Sequence, residues 1–477
     1  MLESEYPIVL SKPGNQPHGT RWMEGGTRDT ELMERKMKGT SKPNKISTKL
    51  NQIAKLARDA PDMVMLTLAH NIDVEFLREA YRRTRKDAAV GTDEQTAEEY
   101  AVNLEGNLDL LLQRFKSGKY FAPPVRRVYI PKNRNQTRPI GVPTFEDKIL
   151  QRAVTMVLEA VYEQDFMDCS FGFRPKRSAH QALEKLWRAL MDINGGWVIE
   201  VDIRSYFDNI SHYHLRCFLD QRVRDGVLRK TIHKWLKAGV LESGNIRYPD
   251  AGSPQGGVIS PILANIYLHE VMDKWFGQAV LPRLKGRATL VRYADDLIIS
   301  CEREEDARRI MEVLPKRFGR FDLELHPEKT RMIEFRRPLL KEHKGKGSFD
   351  FLGFTHYWGK SRRKKWVVKR KTAKDRYSRA VVKIDVTCRK YRHLKVKDQH
   401  QRLTRMIRGH YTYYGITGNI EALSRFHLAV KYSWQKWLNR RSSGRHMPWK
   451  RFQNLLAHYP LPRPVIVHSA LRLAANP

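Results

Sequence analysis

The chain has 477 residues, with 88 Lys and Arg against 52 Asp and Glu, for a formal charge of +36. That length can bury more than one core, so about two to four domains are expected, and the charge favours a polyanionic partner, although ribosomal and histone-like proteins share such a balance. Four scattered cysteines exclude a disulfide scaffold and a zinc finger, and the absence of an apolar leader or a run of about eighteen apolar residues makes a cytoplasmic, reducing setting with no membrane partner the expectation.

Residues 1–45, rich in Gly, Pro, Lys and Thr, read as a flexible basic extension. Helical periodicity starts at Ile46 and continues through Leu50, Ile53 and Leu56; Val74, Phe76, Leu77 and Tyr81 follow Asn71 and Asp73 as candidate N-caps. Residues 125–145 read as a β-hairpin around the polar loop Asn133-Arg134-Asn135-Gln136, with Lys132 and Arg138 on its arms. Helices are expected from Phe145 to Gln164 and through His180, Leu183, Leu186 and Leu190.

Short strands at 197–203, 289–293 and 296–300, separated by helical runs at 212–239 and 260–276, suggest a mixed α+β unit instead of a doubly wound sheet. Glu304 to Phe318 reads as another helix. The strand Trp197-Val198-Ile199-Glu200-Val201-Asp202-Ile203 carries an acid near its C-terminal end. Further on, Tyr293-Ala294-Asp295-Asp296 sits between Leu290-Val291-Arg292 and Leu297-Ile298-Ile299-Ser300, which reads as a hairpin tip holding two adjacent carboxylates. Such a pair also occurs at ordinary solvated turns. Carboxylates a few Å apart repel and raise each other's pKa, however, and a divalent cation with oxygen ligands relieves this. If the two segments are sheet neighbours, Asp202, Asp295 and Asp296 converge on a magnesium site suited to in-line phosphoryl transfer.

Between Lys360 and His400, seventeen Lys or Arg accompany three acids, while Val381, Ile384 and Tyr391 keep an apolar spacing. This reads as a basic helical surface, whose charge phosphates would balance. Leu423, Phe426, Val430, Trp434 and Trp437 form a helical stripe read mainly as core, with base stacking by a Trp as the alternative. The seventeen His show no metal-ligand spacing, and no Ser-His-Asp arrangement is evident.

Several blocks in order resemble the reverse transcriptases encoded by group II introns, also called maturases. They are Val128-Tyr129-Ile130-Pro131-Lys132, Thr137-Arg138-Pro139-Ile140-Gly141-Val142-Pro143-Thr144, Ser170-Phe171-Gly172-Phe173-Arg174-Pro175, Ser253-Pro254-Gln255-Gly256-Gly257-Val258-Ile259-Ser260-Pro261, the Tyr-Ala-Asp-Asp element and Phe351-Leu352-Gly353-Phe354. The resemblance implies an α+β right-hand polymerase: a helical extension and the start of the fingers at 46–115, fingers at 116–195, palm at 196–358, helical thumb or maturase domain at 359–440 and a nucleic-acid-binding tail at 441–477. It also implies RNA-directed DNA polymerase activity, binding and assisted splicing of the intron RNA, and target-primed copying of that RNA, within a bacterial ribonucleoprotein. Target DNA, an RNA template with a DNA primer, and deoxynucleoside triphosphates would be the further partners.

Carried over residue by residue, the resemblance makes Asp202, Asp295 and Asp296 catalytic. With Ile203 they form the set for two Mg2+ ions, Mn2+ being a possible substitute. Lys132 and Arg138 would meet the incoming triphosphate, Gln255 its sugar and phosphate, and Phe207 would exclude a 2′-hydroxyl, with a plain core Phe as the alternative. Gly256, Tyr293 and Gly353 would face primer or template, and Lys364, Lys365, Lys369, Arg370 and Lys371 would meet the same strands. An RNA-binding splicing cofactor without polymerase activity, or a non-intron reverse transcriptase of retron, diversity-generating or defence type, are the competing expectations. Longer family members carry a C-terminal His-Asn-His endonuclease with cysteine pairs; neither is recognisable here, so no protein-dependent nicking is expected.

Overall fold

The computed structural model describes residues 45–131, 137–242, 245–248, 252, 256–339, 345–361, 363–441 and 446–468. The extension read at 1–45, the loop 133–136 and the residues Lys132 and Gln255 therefore lie outside the described residues, Lys45 excepted.

Four helices open the described chain: α1 (Lys45–Asp59), α2 (Val74–Arg83), α3 (Ala97–Ala101) and α4 (Leu104–Lys116). Of the two candidate caps, Asp73 takes the role, its side chain accepting from Phe76 N at 2.9 Å. The expected hairpin is present as β1 (Val125–Pro131) and β2 (Thr137–Val142), antiparallel and in register from Arg126↔Val142 to Pro131↔Thr137. Helices α5 (Phe145–Tyr162) and α6 (Ala179–Asp192) follow, then β3 (Trp197–Val201).

The single helical run expected over 212–239 is two helices, α7 (His212–Asp220) and α8 (Gly226–Leu236). Asp225 accounts for the break. Its Oδ1 caps α8 by accepting from Val227 N and Leu228 N at 2.9 Å, and its Oδ2 accepts from Leu68 N and Ala69 N at 2.6 and 2.8 Å. Short strands β4 (Val240–Glu242) and β5 (Asn245–Arg247) extend the first sheet in the order β2-β1-β4-β5. Helix α9 (Ser260–Leu268) then passes into two π-helical turns, His269–Asp273 and Phe276–Val280.

A second sheet, β6 (Ala288–Tyr293), β7 (Asp296–Cys301), β3 and β8 (Arg331–Glu334), has the order β6-β7-β3-β8 and is antiparallel throughout. Its two faces bury against different partners, as the two-residue side-chain period requires. Ile199, Val201, Leu290, Leu297 and Ile299 join one core with α10 (Glu304–Gly319) and the N-terminal helices. Val198, Val291 and Ile298 join another with α6 and a third sheet, β11-β10-β9, made of β9 (Phe349–Phe351), β10 (Phe354–Lys360) and β11 (Trp366–Thr372).

The basic stretch read as helical from Lys360 instead carries the end of β10 and all of β11, and helix α11 (Lys374–Lys390) starts only after Thr372. Alternation overrides charge there. Trp366, Val368, Arg370 and Thr372 point inward and are buried, a two-residue period that a helix would not keep on one face. A boundary between 358 and 359 would cut β10. A third core gathers α11, α12 (Val396–Tyr414), α13 (Ile420–Asn439) and α14 (Trp449–His458), and the stripe Leu423, Phe426, Val430, Trp434 and Trp437 lies in it, as read. Trp434 is fully buried and donates to Gln399 Oε1 at 3.0 Å, which leaves its ring no free face for a base.

Three histidines tie these layers together. His356 stacks on Phe349 with ring centroids 4.8 Å apart, His410 on Phe426 at 3.9 Å, and His180 on His468 at 3.6 Å while its Nε2 donates to Tyr413 O. Burial, with Arg370 close by, holds His356 down to about 3, and burial holds His180 and His410 down to about 4. These rings are neutral in the fold but take up protons in the unfolded chain, so stability is full above pH ~6.5 and is lost as pH falls towards ~4. Unfolding free energy from denaturant titrations should therefore drop by about 5 kcal/mol between pH ~7 and ~5, and His356→Leu should lessen that drop.

Candidate active site

The expectation that the acid-bearing segments are sheet neighbours holds. Strand β3 pairs with β7 up to Val201↔Leu297, and Tyr293 pairs with Asp296 across the hairpin. Carrying the register one residue further sets Asp202 beside Asp296, at the interstrand spacing of about 5 Å. Asp202, Asp295 and Asp296 line one cavity of about 410 Å³, together with Arg138, Tyr293 and Gly353.

Its electrostatics follow from that crowding. Burial, then the neighbouring Asp295 carboxylate and Asp202, pushes the Asp296 carboxyl well above the ordinary carboxylate range, while Arg376 on the cavity wall opposes this. Lys329 Nζ lies 3.5 Å from Asp202 Oδ2, and Glu200 is taken by Arg331. Among the described residues no three His, Cys, Asp or Glu close on a point that would hold a metal ion unaided. The fit is that of an open set: two or three hard carboxylate oxygens short of charge neutrality, needing a cation and further oxygens from substrate.

The turn that presents the two Asp is held from behind. Ala294 has φ +56°, the left-handed region that glycine normally fills at the first position of a two-residue hairpin loop, at a cost of about 1–3 kcal/mol. Arg292, with no exposed surface, accounts for this. Its Nη1 donates to Ala294 O at 3.1 Å and to Asn265 Oδ1 at 2.9 Å, while Nε and Nη2 donate to Asp273 Oδ1 and Oδ2 at 2.8 and 2.6 Å. Burial alone would raise the Asp273 carboxyl, and Arg292 with His269 holds it below the usual range instead. The π-helical turn at His269–Asp273 carries Asp273 to that position.

The block Ser170-Phe171-Gly172 lies along the outer edge of β6. Arg292 N donates to Cys169 O at 2.8 Å, Phe171 N to Arg292 O at 2.9 Å, and Asn265 Nδ2 to Gly172 O at 2.8 Å. A Cβ on Gly172 would stand 2.3 Å from Ala294 N, so backbone would have to move. Gly172→Ala is expected to lower the turnover of any reaction at the acids by about a hundredfold with the circular dichroism spectrum unchanged. A rate within twofold of wild type would sink this.

Other expected residues lie differently. Ile203 is buried and bridges Leu325. Phe207 is 4% exposed, packs beside Tyr206 and does not line the cavity of the acids. Gly256, φ +111°, approaches β2, where a Cβ would meet Gly141 O at 2.7 Å. Leu352 and Gly353, φ +48° and +76°, form the tight turn between β9 and β10, and Tyr413 Oη donates to Leu352 O at 2.9 Å. Lys364, Lys365 and Lys371 are exposed and Lys369 half-buried, all outside the cavity. Arg370 needs correction as a strand contact. It points inward, 3.9 Å from Glu184, with Nη1 donating to Leu183 O at 3.3 Å, because inward positions of β11 alternate with those of the lysines.

Sequence reasoning missed Arg292, Asp273, Asn265, Lys329 and Arg376. A legible signal existed for the first two, each a charge inside an apolar run (Leu290-Val291-Arg292, Val271-Met272-Asp273), since unpaired charges are not buried. Lys329 and Arg376 carry no comparable mark.

Residues 130–356 match the family described as "Reverse transcriptase (RNA-dependent DNA polymerase)". The chain is 34% identical over 285 residues to the group II intron-encoded protein LtrA of Lactococcus lactis subsp. cremoris, covering 56% of this chain and 46% of that one. It is 34% identical over 299 residues to protein YkfC of Escherichia coli (54% and 76%), and 31% identical over 170 residues to nuclear intron maturase 2, mitochondrial, of Arabidopsis thaliana (28% and 23%). The chain thus spans about half the length of LtrA.

Proposed function

The chain belongs to the group II intron-encoded reverse transcriptases, a family that uses divalent metal ions, and from this we propose that it is an RNA-directed DNA polymerase that binds its intron RNA, assists its splicing and copies it into DNA from a primer at the target site. The observation that carries the reading is the convergence of Asp202, Asp295 and Asp296 on one cavity, with Asp296 held against its charge. In this reading residues 46–115 and 116–195 serve as extension and fingers, 196–358 as palm together with the last residues of β10, the rest of 359–440 as thumb or maturase domain and 441–477 as tail.

Two magnesium ions, with manganese as substitute, would be held by the three carboxylates and the Ile203 backbone, and would supply charge neutralisation and a more acidic 3′-hydroxyl. The protein's own part is positional and electrostatic. Arg138, on the cavity wall, and Lys132 would stabilise the negative charge moving onto pyrophosphate. Tyr293 and Gly353 would bear on the primer end, Gln255 and Gly256 on the nucleotide and template, and the exposed Lys364, Lys365 and Lys371, with Lys369, on the duplex beyond it. Deoxynucleoside triphosphates would be the substrates.

Phe207 would act as the barrier to a 2′-hydroxyl. Phe207→Val is then expected to raise ribonucleotide incorporation about tenfold or more relative to deoxynucleotides, measured by single-nucleotide extension. Unchanged discrimination would leave Phe207 as core only. The whole reading is tested by extension of a DNA primer on an RNA template: synthesis with Mg2+, its loss with chelator, and recovery with Mn2+ are expected. No extension under any of these conditions would overturn the polymerase assignment, and splicing of the cognate intron RNA tests the maturase part separately.

A further inference from the structure

A second concave surface lies on α10, the helix packed against the β6-β7-β3-β8 sheet. Helix α10 packs its apolar side (Ile310, Leu314, Phe318) into the core shared with Ile199, Val201, Leu297 and Ile299, and this surface shares no lining residue with the catalytic cavity. The outer side of α10 and the tract from Trp275 to Leu284 enclose about 350 Å³. Its floor is apolar, with Trp275, Val280, Leu284 and the exposed Val313, and its polar lining is five cations: Arg283, Arg309, Lys316, Arg317 and Arg320.

No acid lines it, and none of the five has a carboxylate within ion-pair distance among the described residues. Most acids nearby are engaged: Glu304 by Arg308 at 2.5 Å, Glu270 by Lys274 at 2.5 Å, Glu305 by Lys285 at 3.7 Å, and Asp306 by the backbone N of Lys285 and Gly286; Glu312, exposed on the same helix, stays outside the lining. Positions 309, 313, 316 and 317 recur at helical spacing on one stripe of α10 and Arg320 caps its C-terminal end, so the cations are concentrated, not scattered. Arg317 is fixed in place. It donates to Val271 O at 2.8 Å and Glu270 O at 2.9 Å, and lies 5.7 Å from the Trp275 ring centroid and 4.5 Å from that of Phe321.

We propose that this surface is a second RNA site, taking a single-stranded stretch of the bound RNA with phosphates on the α10 cations and an unstacked base on the Trp275 floor. Like charges gathered around a concavity need counter-charges, and phosphodiesters supply them at the right spacing. The apolar floor decides for a single strand, because an A-form duplex keeps its bases out of reach, whereas an unpaired base stacks on an aromatic ring beside an arginine. The inference rests on the polymerase reading only in taking RNA as the ligand, and places this contact away from the template-primer.

The test uses the full chain and two probes: an unstructured U-rich RNA of about 60 nucleotides carrying 4-thiouridine, and a short RNA–DNA primer-template of about 12 base pairs. At about 150 mM salt, Lys316→Glu with Arg320→Glu should weaken binding of the long RNA about tenfold or more, flatten the salt dependence by about one to two ions, and abolish crosslinks to 275–284 and 309–320. Extension of the short primer should stay within twofold. Arg303→Glu with Arg308→Glu, the same charge change at the N-terminal end of the same helix, should weaken RNA binding far less. Equal losses in both pairs, unchanged affinity in the first, or crosslinks that avoid both segments would overturn the proposal. Failure of primer extension in the wild-type chain would count against the polymerase reading alone, since the binding and crosslinking arms read this surface directly.

Discussion

Asp296→Asn is expected to cut the rate of primer extension by at least about a thousandfold while raising the melting midpoint of the protein by about 1–3 °C. The two effects share a cause. Burial and the Asp295 and Asp202 carboxylates disfavour the charged form of Asp296, so at neutral pH its negative charge costs folding free energy that a neutral amide of the same shape does not. That charge is what attracts a cation, so activity and stability should move in opposite directions. Asp295→Asn should share the loss of extension. RNA affinity should be nearly unchanged, because one carboxylate counts little against a net charge of +36. Steady extension rates, thermal melts and filter binding on the same preparations check this; a destabilised Asp296→Asn protein would show that the site is a hydrogen-bonded turn without strain from like charges.

Arg292→Ala is expected to destabilise the fold by about 3–5 kcal/mol, since it leaves the Asp273 carboxylate buried without its partner. The more informative variant is the pair Arg292→Met with Asp273→Leu, which removes both charges and keeps the volume. Stability should then return to within about 1 kcal/mol of wild type, as apolar replacements of buried ion pairs commonly do. Extension should remain at least about a hundredfold slow, because no donor holds the Ala294 carbonyl and the turn at φ +56° relaxes. The loss should appear in kcat with little change in KM for the nucleotide. Recovery of both stability and rate in the double variant would mean that Arg292 serves the core alone.

Much of the molecule was legible in the chain. Short apolar runs at Trp197–Val201 and Asp296–Cys301 and helical spacing in Phe145–Tyr162 and Ile420–Asn439 mark elements whose burial is decided locally. The pairing of the two acid-bearing strands was legible only as a condition, because register between strands far apart in sequence is set by which faces find a core. Where local signals competed, the reading erred. Charge density suggested helix at Trp366–Thr372, but the inward faces at 366, 368, 370 and 372 had a sheet partner in β10, and that partner is remote from any window of sequence. The break at Asp225 depended equally on Leu68 and Ala69, distant donors that claimed its second oxygen.

The sequence by itself determined the chemistry available to this protein: three carboxylates on apolar strands, a cationic surface and the ordered blocks of one polymerase family, all of them properties of residue type and spacing. Tertiary structure decided which groups meet. It set Asp202 beside Asp296, buried Arg370 among the lysines it resembles, and threaded Arg292, Asp273, Asn265 and Gly172 behind the catalytic turn. Charges inside apolar runs mark Arg292 and Asp273 as groups that need partners, but nothing local says which partners, because the bonds join segments 19 and 27 residues apart, and only the packing of strand, π-helical turn and edge segment brings their dipoles within hydrogen-bond reach.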